Sequence, residues 1–315
     1  MKRTIAVLLL FTSTGAHGLD LSPTRIAECR ANLEKRLCYS APVPHWTDSG
    51  FDAATLKKGL ARFQDRTCMA KPAARLKTLL SVYDKFPARV QVAFCAMKRI
   101  YLVSGNVDYG ARTEYFFDET KTKFGETEWG TSTIDGIATG FILEISEKSR
   151  FQGETASAYV TRVSQKRFGH DVSRGISQTL PAIEYTTAFG TDGALATTII
   201  HEIGHMVHRA AKATRTSIYK PMLATPWSLA SWDVTDESFS VKDDADYELW
   251  SKMRNRSLGT ADVSSSISLM KKFGFSTYYS SSGPDEDFAE SFMLYFNDDL
   301  KMKVGSTVVF DLRQE

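Results

Sequence analysis

The chain has 315 residues, 43% of them hydrophobic and 24% charged, with 39 basic and 37 acidic side chains. That composition suits one or two globular domains and excludes a collagenous, low-complexity or disordered chain. The near balance of charge argues against a nucleic-acid binder or a protein held on anionic lipid, either of which would carry a basic surplus.

Lys2 and Arg3 precede an apolar run from Ile5 to Phe11, and Thr12 to Gly18 is small and polar. A run this short cannot cross a bilayer, which takes ~20 residues of helix. The pattern predicts a secretory signal over residues 1–18, cut near Leu19, and a chain with no stable membrane insertion. Without that segment, basic and acidic side chains balance at 37 each. Cys29, Cys38, Cys68 and Cys95 all lie in the first third of the chain, and an even number in an oxidising compartment predicts two disulfides. Three pairings satisfy the count. No C-x-x-C pair is present, which argues against a four-cysteine zinc site.

From Arg25 to about Leu102 the apolar spacing is helical: Leu56, Leu60 and Phe63 recur at four and three, as do Leu76, Leu79, Leu80 and Tyr83. Pro87 should open a helix whose apolar face includes Val90, Phe94 and Met97, running into a short β-prone segment, Ile100–Val103. A β-containing region follows. Its clearest strand is Phe141–Ser146, with Ile183–Thr187 a second, and either could be an edge that pairs with an extended peptide. A long helix capped by Asp192 should run to about Ala211. The stretch from Thr214 to Asp246 is irregular; Tyr219, Trp227, Trp232 and Phe239 there could form a substrate-binding wall or a small satellite core. Later helices are expected over Tyr247–Arg256 and Ile267–Phe273, and a last one from Pro284.

The chemistry concentrates in Ile199-Ile-His-Glu-Ile-Gly-His-Met-Val-His208. Residues four apart on a helix share a face, so His201 and His205 can direct their imidazoles at one point and hold one zinc ion. Glu202 is rotated off that line, where it can take a proton from water rather than bind the ion. Gly204 leaves room for whatever packs against that turn. Such a pattern also arises by chance on ordinary helices, but three of the five histidines beyond residue 18 fall within eight residues, between apolar flanks. His208 is near the same face; three ligands from one straight helix wrap a tetrahedral ion poorly, so it is read as flanking the site rather than completing it. The third ligand is sought in Pro284-Asp-Glu-Asp-Phe-Ala-Glu-Ser-Phe292, where Glu286 and Glu290 are four apart. One of them could complete the metal site while the other accepts the N–H of a ligating histidine. The acids after Pro284 also suit a helix first turn for dipole reasons alone.

These motifs together resemble the gluzincin metallopeptidases, in particular the anthrax lethal factor-like group, in which a helix reading E-x-F-A-E-x-F follows the H-E-x-x-H helix. The resemblance implies that Glu286 is the third zinc ligand, that Glu290 supports a ligand histidine, and that Tyr279, seven residues before Glu286, helps stabilise the oxyanion. It covers short motifs and the order of elements from about Tyr83 onward, and does not reach the cysteine-bearing part. Eighty residues separate His205 from Glu286, longer than the group's pattern, and Thr214–Tyr278 is read as an elaboration. The resulting expectation is an α+β fold: a helical, disulfide-stapled region over 19–80 and a zincin-like catalytic domain over 81–315. The expected activity is that of an exported, zinc-dependent peptidase acting on a protein or peptide substrate. Two alternatives stand beside it: a zinc amidase acting on cell-wall peptides, and a non-catalytic zincin-fold binding module whose structural metal is closed by a fourth ligand such as His208 or Asp287.

Overall fold

The computed structural model describes residues 20–44, 52–104, 110–126, 132–135, 138–146, 183–186, 193–210, 232–233, 238–239, 244–254, 257–273, 275, 279–296, 299–304 and 307–310. The expected signal segment, the capping Asp192, and Tyr219 and Trp227 of the aromatic stretch lie outside them. The fold is α+β, and the described residues divide into two compact units, 20–146 and 183–208 with 232–310. The boundary expected at residues 80 and 81 falls inside a helix of the first unit.

In that unit, helix α1 (Pro23–Arg36) starts where Ser22 accepts a hydrogen bond from the Arg25 N–H with Pro23 in the first turn, and it ends on Lys35 and Arg36. These are the residue types that satisfy a helix's open amides and offset its dipole. Cys29 and Leu33, one turn apart, form its buried edge. The chain turns directly into strand β1 (Leu37–Ser40). Asp52 caps α2 (Ala53–Gln64), which buries Leu56, Leu60 and Phe63; α3 (Ala73–Lys85) buries Leu79, Val82 and Tyr83. Pro87 opens the short α4 (Ala88–Ala93), and a 3-10 turn, Phe94–Ala96, leads into β2 (Met97–Val103). Val90, Phe94 and Met97 are buried, though in three successive elements rather than on one helix.

Strands β3 (Ala111–Phe117) and β6 (Ala138–Ser146) complete a mixed sheet in the order β1-β2-β6-β3, and β4 (Lys123–Glu126) pairs with β5 (Ser132–Asp135) as a separate ribbon. β6 is parallel to β2 on one side and antiparallel to β3 on the other. Phe141–Ser146 is therefore not an edge: its backbone groups are already paired on both sides, which rules out the peptide-pairing role expected for it. Its Glu144 is fully buried, paired with the Arg66 guanidinium, and Arg112 Nη2 stands 3.4 Å from its other oxygen. Arg66 in turn lies over the rings of Phe63 and Tyr101, at 4.5 and 4.8 Å. That charged contact ties the end of α2 to the middle of the sheet.

The four cysteines form Cys29–Cys95 and Cys38–Cys68. The first joins α1 to the turn before β2; the second joins β1 to the segment after α2, where Tyr39 also bridges Ala70. β1 was not evident as a strand in the sequence. Its four residues follow a helix without a break, and their partner β2 lies some sixty residues on.

In the second unit, β7 (Ile183–Thr186) is one outer strand of a sheet ordered β11-β10-β7, with β10 spanning Asp299–Val304 and β11 Thr307–Phe310. Helix α5 (Gly193–Ala210) buries Leu195, Ile199, Ile200, Ile203 and Met206. Trp232 and Phe239 belong to the two-residue strands β8 (Trp232–Asp233) and β9 (Ser238–Phe239). Then come α6 (Asp244–Arg254), α7 (Val263–Phe273), a 3-10 turn over Tyr279–Ser282 and α8 (Pro284–Phe296). α8 is buried along nearly its whole length, from Asp287 to Leu294. Among the described residues no helix is long and apolar enough to cross a membrane.

The disulfides close loops of 66 and 30 residues, which by chain entropy is worth about 4 kcal/mol each. Replacing Cys38 and Cys68 together by serine should lower the unfolding free energy, read from urea titration, by about 2–4 kcal/mol. An unchanged midpoint would show that the link constrains nothing in the unfolded chain.

Candidate metal centre

Helix α5 presents His201 and His205 on one face, and α8 presents Glu286 in its first turn. Their ligand atoms converge: His201 Nε2 and His205 Nε2 are 3.1 Å apart, and Glu286 Oε2 is 3.3 Å from the first and 3.4 Å from the second. Ligands at ~2.0–2.1 Å around a tetrahedral ion stand about 3.3–3.4 Å from one another. Two edges of the triangle match that spacing, and the third, 3.1 Å between the imidazole nitrogens, is slightly shorter. Three lone-pair-bearing atoms this close repel unless positive charge lies among them. These three residues form a group that could hold a metal ion.

The surrounding contacts fix two of the three donors, His201 and Glu286. Glu290 Oε1, one turn along α8 from Glu286, is 2.7 Å from His201 Nδ1. A carboxylate there accepts a hydrogen bond from Nδ1–H, the tautomer that leaves the Nε2 lone pair facing the triangle. The Tyr279 hydroxyl donates to Glu286 Oε1 at 2.8 Å, and its ring stacks on His201 with centroids 5.7 Å apart. Glu286 therefore offers one oxygen to the histidines and gives the other to the phenol. Glu202 follows His201 on α5 and is 6% exposed.

His208 is not part of the triangle. Its Nδ1 is 2.6 Å from Asp285 Oδ1 and its ring stacks on Phe288 at 4.7 Å, wholly buried. The contact ties the end of α5 to the first turn of α8, beside Glu286. Asp285 had been accounted for in the sequence only as an acid suited to a helix start.

Gly204 sets the separation of the two helices. A Cβ there would stand 2.9 Å from Ala289 Cα and 3.2 Å from Phe292 Cβ, so α8 lies against bare backbone. Glycine inside a helix is about 1 kcal/mol worse than alanine. It is kept here against that preference because the carboxylates of α8 must come within reach of the α5 imidazoles. Trp250 of α6 adds a support that the sequence did not disclose: its indole N–H donates to the Ser281 carbonyl at 2.9 Å, inside the turn that carries Tyr279.

Burial opposes charge on His201, but hydrogen bonds and charge from Glu286 and Glu290 outweigh it and hold the imidazole well above its ordinary 6.5. Burial also pushes Glu286 upward, and the two imidazoles more than reverse this, holding its carboxyl well below 4.5. In the metal-free protein a proton thus serves where a cation would. The raised His201 value stabilises the metal-free fold below the unfolded imidazole's pKa, and that contribution is lost as pH rises through the folded value. The depressed Glu286 value acts from above its unfolded pKa and is lost as pH falls through the folded one.

The chain matches no protein-family model, no curated protein and no solved structure.

Two outcomes follow from this geometry. Gly204→Ala gains about 1 kcal/mol of helix propensity and loses about 1–3 kcal/mol to the clash. It should also weaken metal binding, measured by competition with a coloured chelator, because Glu286 is pushed from the histidines; undiminished affinity would remove helix spacing as the controlling variable. Metal affinity should rise about tenfold per pH unit below the raised His201 pKa and level off above it, since one proton must leave. A flat profile across that range would mean that no such proton is displaced.

Proposed function

We propose that this chain is an exported zinc-dependent peptidase with a zincin-like catalytic domain. The observation that carries the reading is the triangle of His201, His205 and Glu286, whose nitrogen-nitrogen-oxygen donor set and edge lengths suit tetrahedral zinc with a fourth position left for water. A structural metal closed by a fourth protein donor is disfavoured, because His208 is committed to Asp285 and, among the described residues, the group holds three donors. The two disulfides suit an oxidising, exported setting.

Bound zinc would supply Lewis-acid activation of water and of a substrate carbonyl. The protein's own groups do the rest. His201 is held in one tautomer by Glu290, so its lone pair stays in the triangle. Glu202, one residue round the helix, accepts the proton of the attacking water and returns it to the departing amine. Tyr279 donates to Glu286 Oε1 and so acts on the reaction through the ligand carboxylate; the oxyanion role that the resemblance implies would require that bond to break. The outer strand β7 offers a place for an extended peptide, since main-chain groups along a sheet edge pair with any sequence. A general base, an electrophile and an extended seat would together suit a substrate of peptide bonds.

The test is to incubate the chain from Leu19 onward with a mixed peptide library, with and without a chelator, and to read the products by mass. Cleavage should stop on chelation and return with zinc. Glu202→Gln should keep its metal and lose roughly 10²–10⁴-fold in rate; a metal-loaded variant cutting as fast as the parent would refute the mechanism. Products confined to cell-wall peptides would assign the enzyme as an amidase instead.

A further inference from the structure

We propose that Tyr279 is a positioning residue that restricts Glu286 to one oxygen toward the metal, and that Trp250 holds Tyr279 in that role. The inference rests on the metal reading of the triangle and not on peptide hydrolysis.

A carboxylate beside a cation has two equivalent oxygens and can bind through either or both. Here the two are assigned different partners. Oε2 faces both imidazoles, at 3.3 and 3.4 Å. Oε1 accepts the phenol hydrogen bond at 2.8 Å. To bind through both oxygens, Glu286 would have to rotate and lose that bond, and the phenol that makes it is stacked beside His201. The hydroxyl thus limits the number of donors around the ion, and a position stays free for solvent or substrate.

Tyr279 needs a fixed turn beneath it. Ser280 and Ser281 are buried, and the Ser281 carbonyl receives the indole N–H of Trp250, itself 2% exposed. Trp250 lies on α6, in the long segment between the histidines and Glu286, whose described residues contribute no ligand to the triangle. Its indole N–H supports the turn, and the turn carries the phenol that meets the carboxylate.

Cobalt(II) is the probe, because its visible absorption per ion falls as the number of donors rises. Parent protein, Tyr279→Phe and Trp250→Phe are each loaded with cobalt, and affinity, spectrum and thermal midpoint are recorded. Tyr279→Phe should bind cobalt and show weaker absorption per bound ion, as Glu286 engages through both oxygens. Trp250→Phe keeps an aromatic ring in the core but loses the indole N–H together with part of the ring's volume, so its thermal midpoint should fall and its spectrum should move the same way by a smaller amount. A purely structural role would lower the thermal midpoint and leave the spectrum of bound cobalt unmoved. Parental absorption in loaded Tyr279→Phe overturns the inference. Failure of the parent chain to bind cobalt overturns it together with the metal reading. A parent that binds cobalt and cleaves no peptide removes only the peptidase reading, and the spectral comparison still decides this one.

Discussion

The second unit depends on the absence of a side chain. Where α5 crosses α8, Gly204 meets Ala289, and the two backbones approach more closely than a methyl group allows. The carboxylates of Glu286 and Glu290 are short levers. Only at that separation can one reach the Nε2 atoms of His201 and His205 while the other reaches a Nδ1. An H-E-x-x-H helix with a larger residue at position 204 would keep its two imidazoles and lose the partner helix that gives them a third donor. Packing precedes chemistry here: Phe288, Ala289 and Phe292 are buried, and the polar atoms are carried to their places by the apolar face beside them.

Around the triangle the groups are arranged in layers. Two of the three donors have a neighbour that decides how they are presented: Glu290 for the ring of His201, Tyr279 for the carboxylate of Glu286. The His208–Asp285 contact does the same for the helices, closing the junction one turn beyond the donors. None of these neighbours acts alone. Together they keep three like atoms converged, an arrangement with an electrostatic cost that a cation offsets.

Much of the site could be read in the sequence because helix geometry is local. Histidines four apart on an apolar helix point one way, and so do glutamates four apart, whatever else the fold does. What the spacing left open was which glutamate faces the triangle, and that assignment came from resemblance. Gly204 signalled a close neighbour without naming Ala289. Trp250 gave no sign, since its partner is a carbonyl, a group every residue possesses. Strands were harder. β6 showed as a run of apolar residues, yet whether it sits inside a sheet or at its edge depends on β2 and β3, distant in sequence. β1 was hidden behind a helix, and the β10–β11 pair was not anticipated although Thr307-Val-Val-Phe310 is rich in β-branched residues. The pairing of the cysteines likewise came only with three-dimensional proximity.

All four cysteines are spent in the unit that ends at residue 146, while the His201–His205–Glu286 group lies in the other. The two units are thus fastened by unlike means: covalent sulfur bridges in one, and noncovalent packing around a group that could hold a cation in the other. A thiol reagent would loosen the first and spare the second; a chelator would do the reverse only where a cation sits among the three donors. Electron availability thus bears on one unit, and trace-metal supply would bear on the other through that group alone.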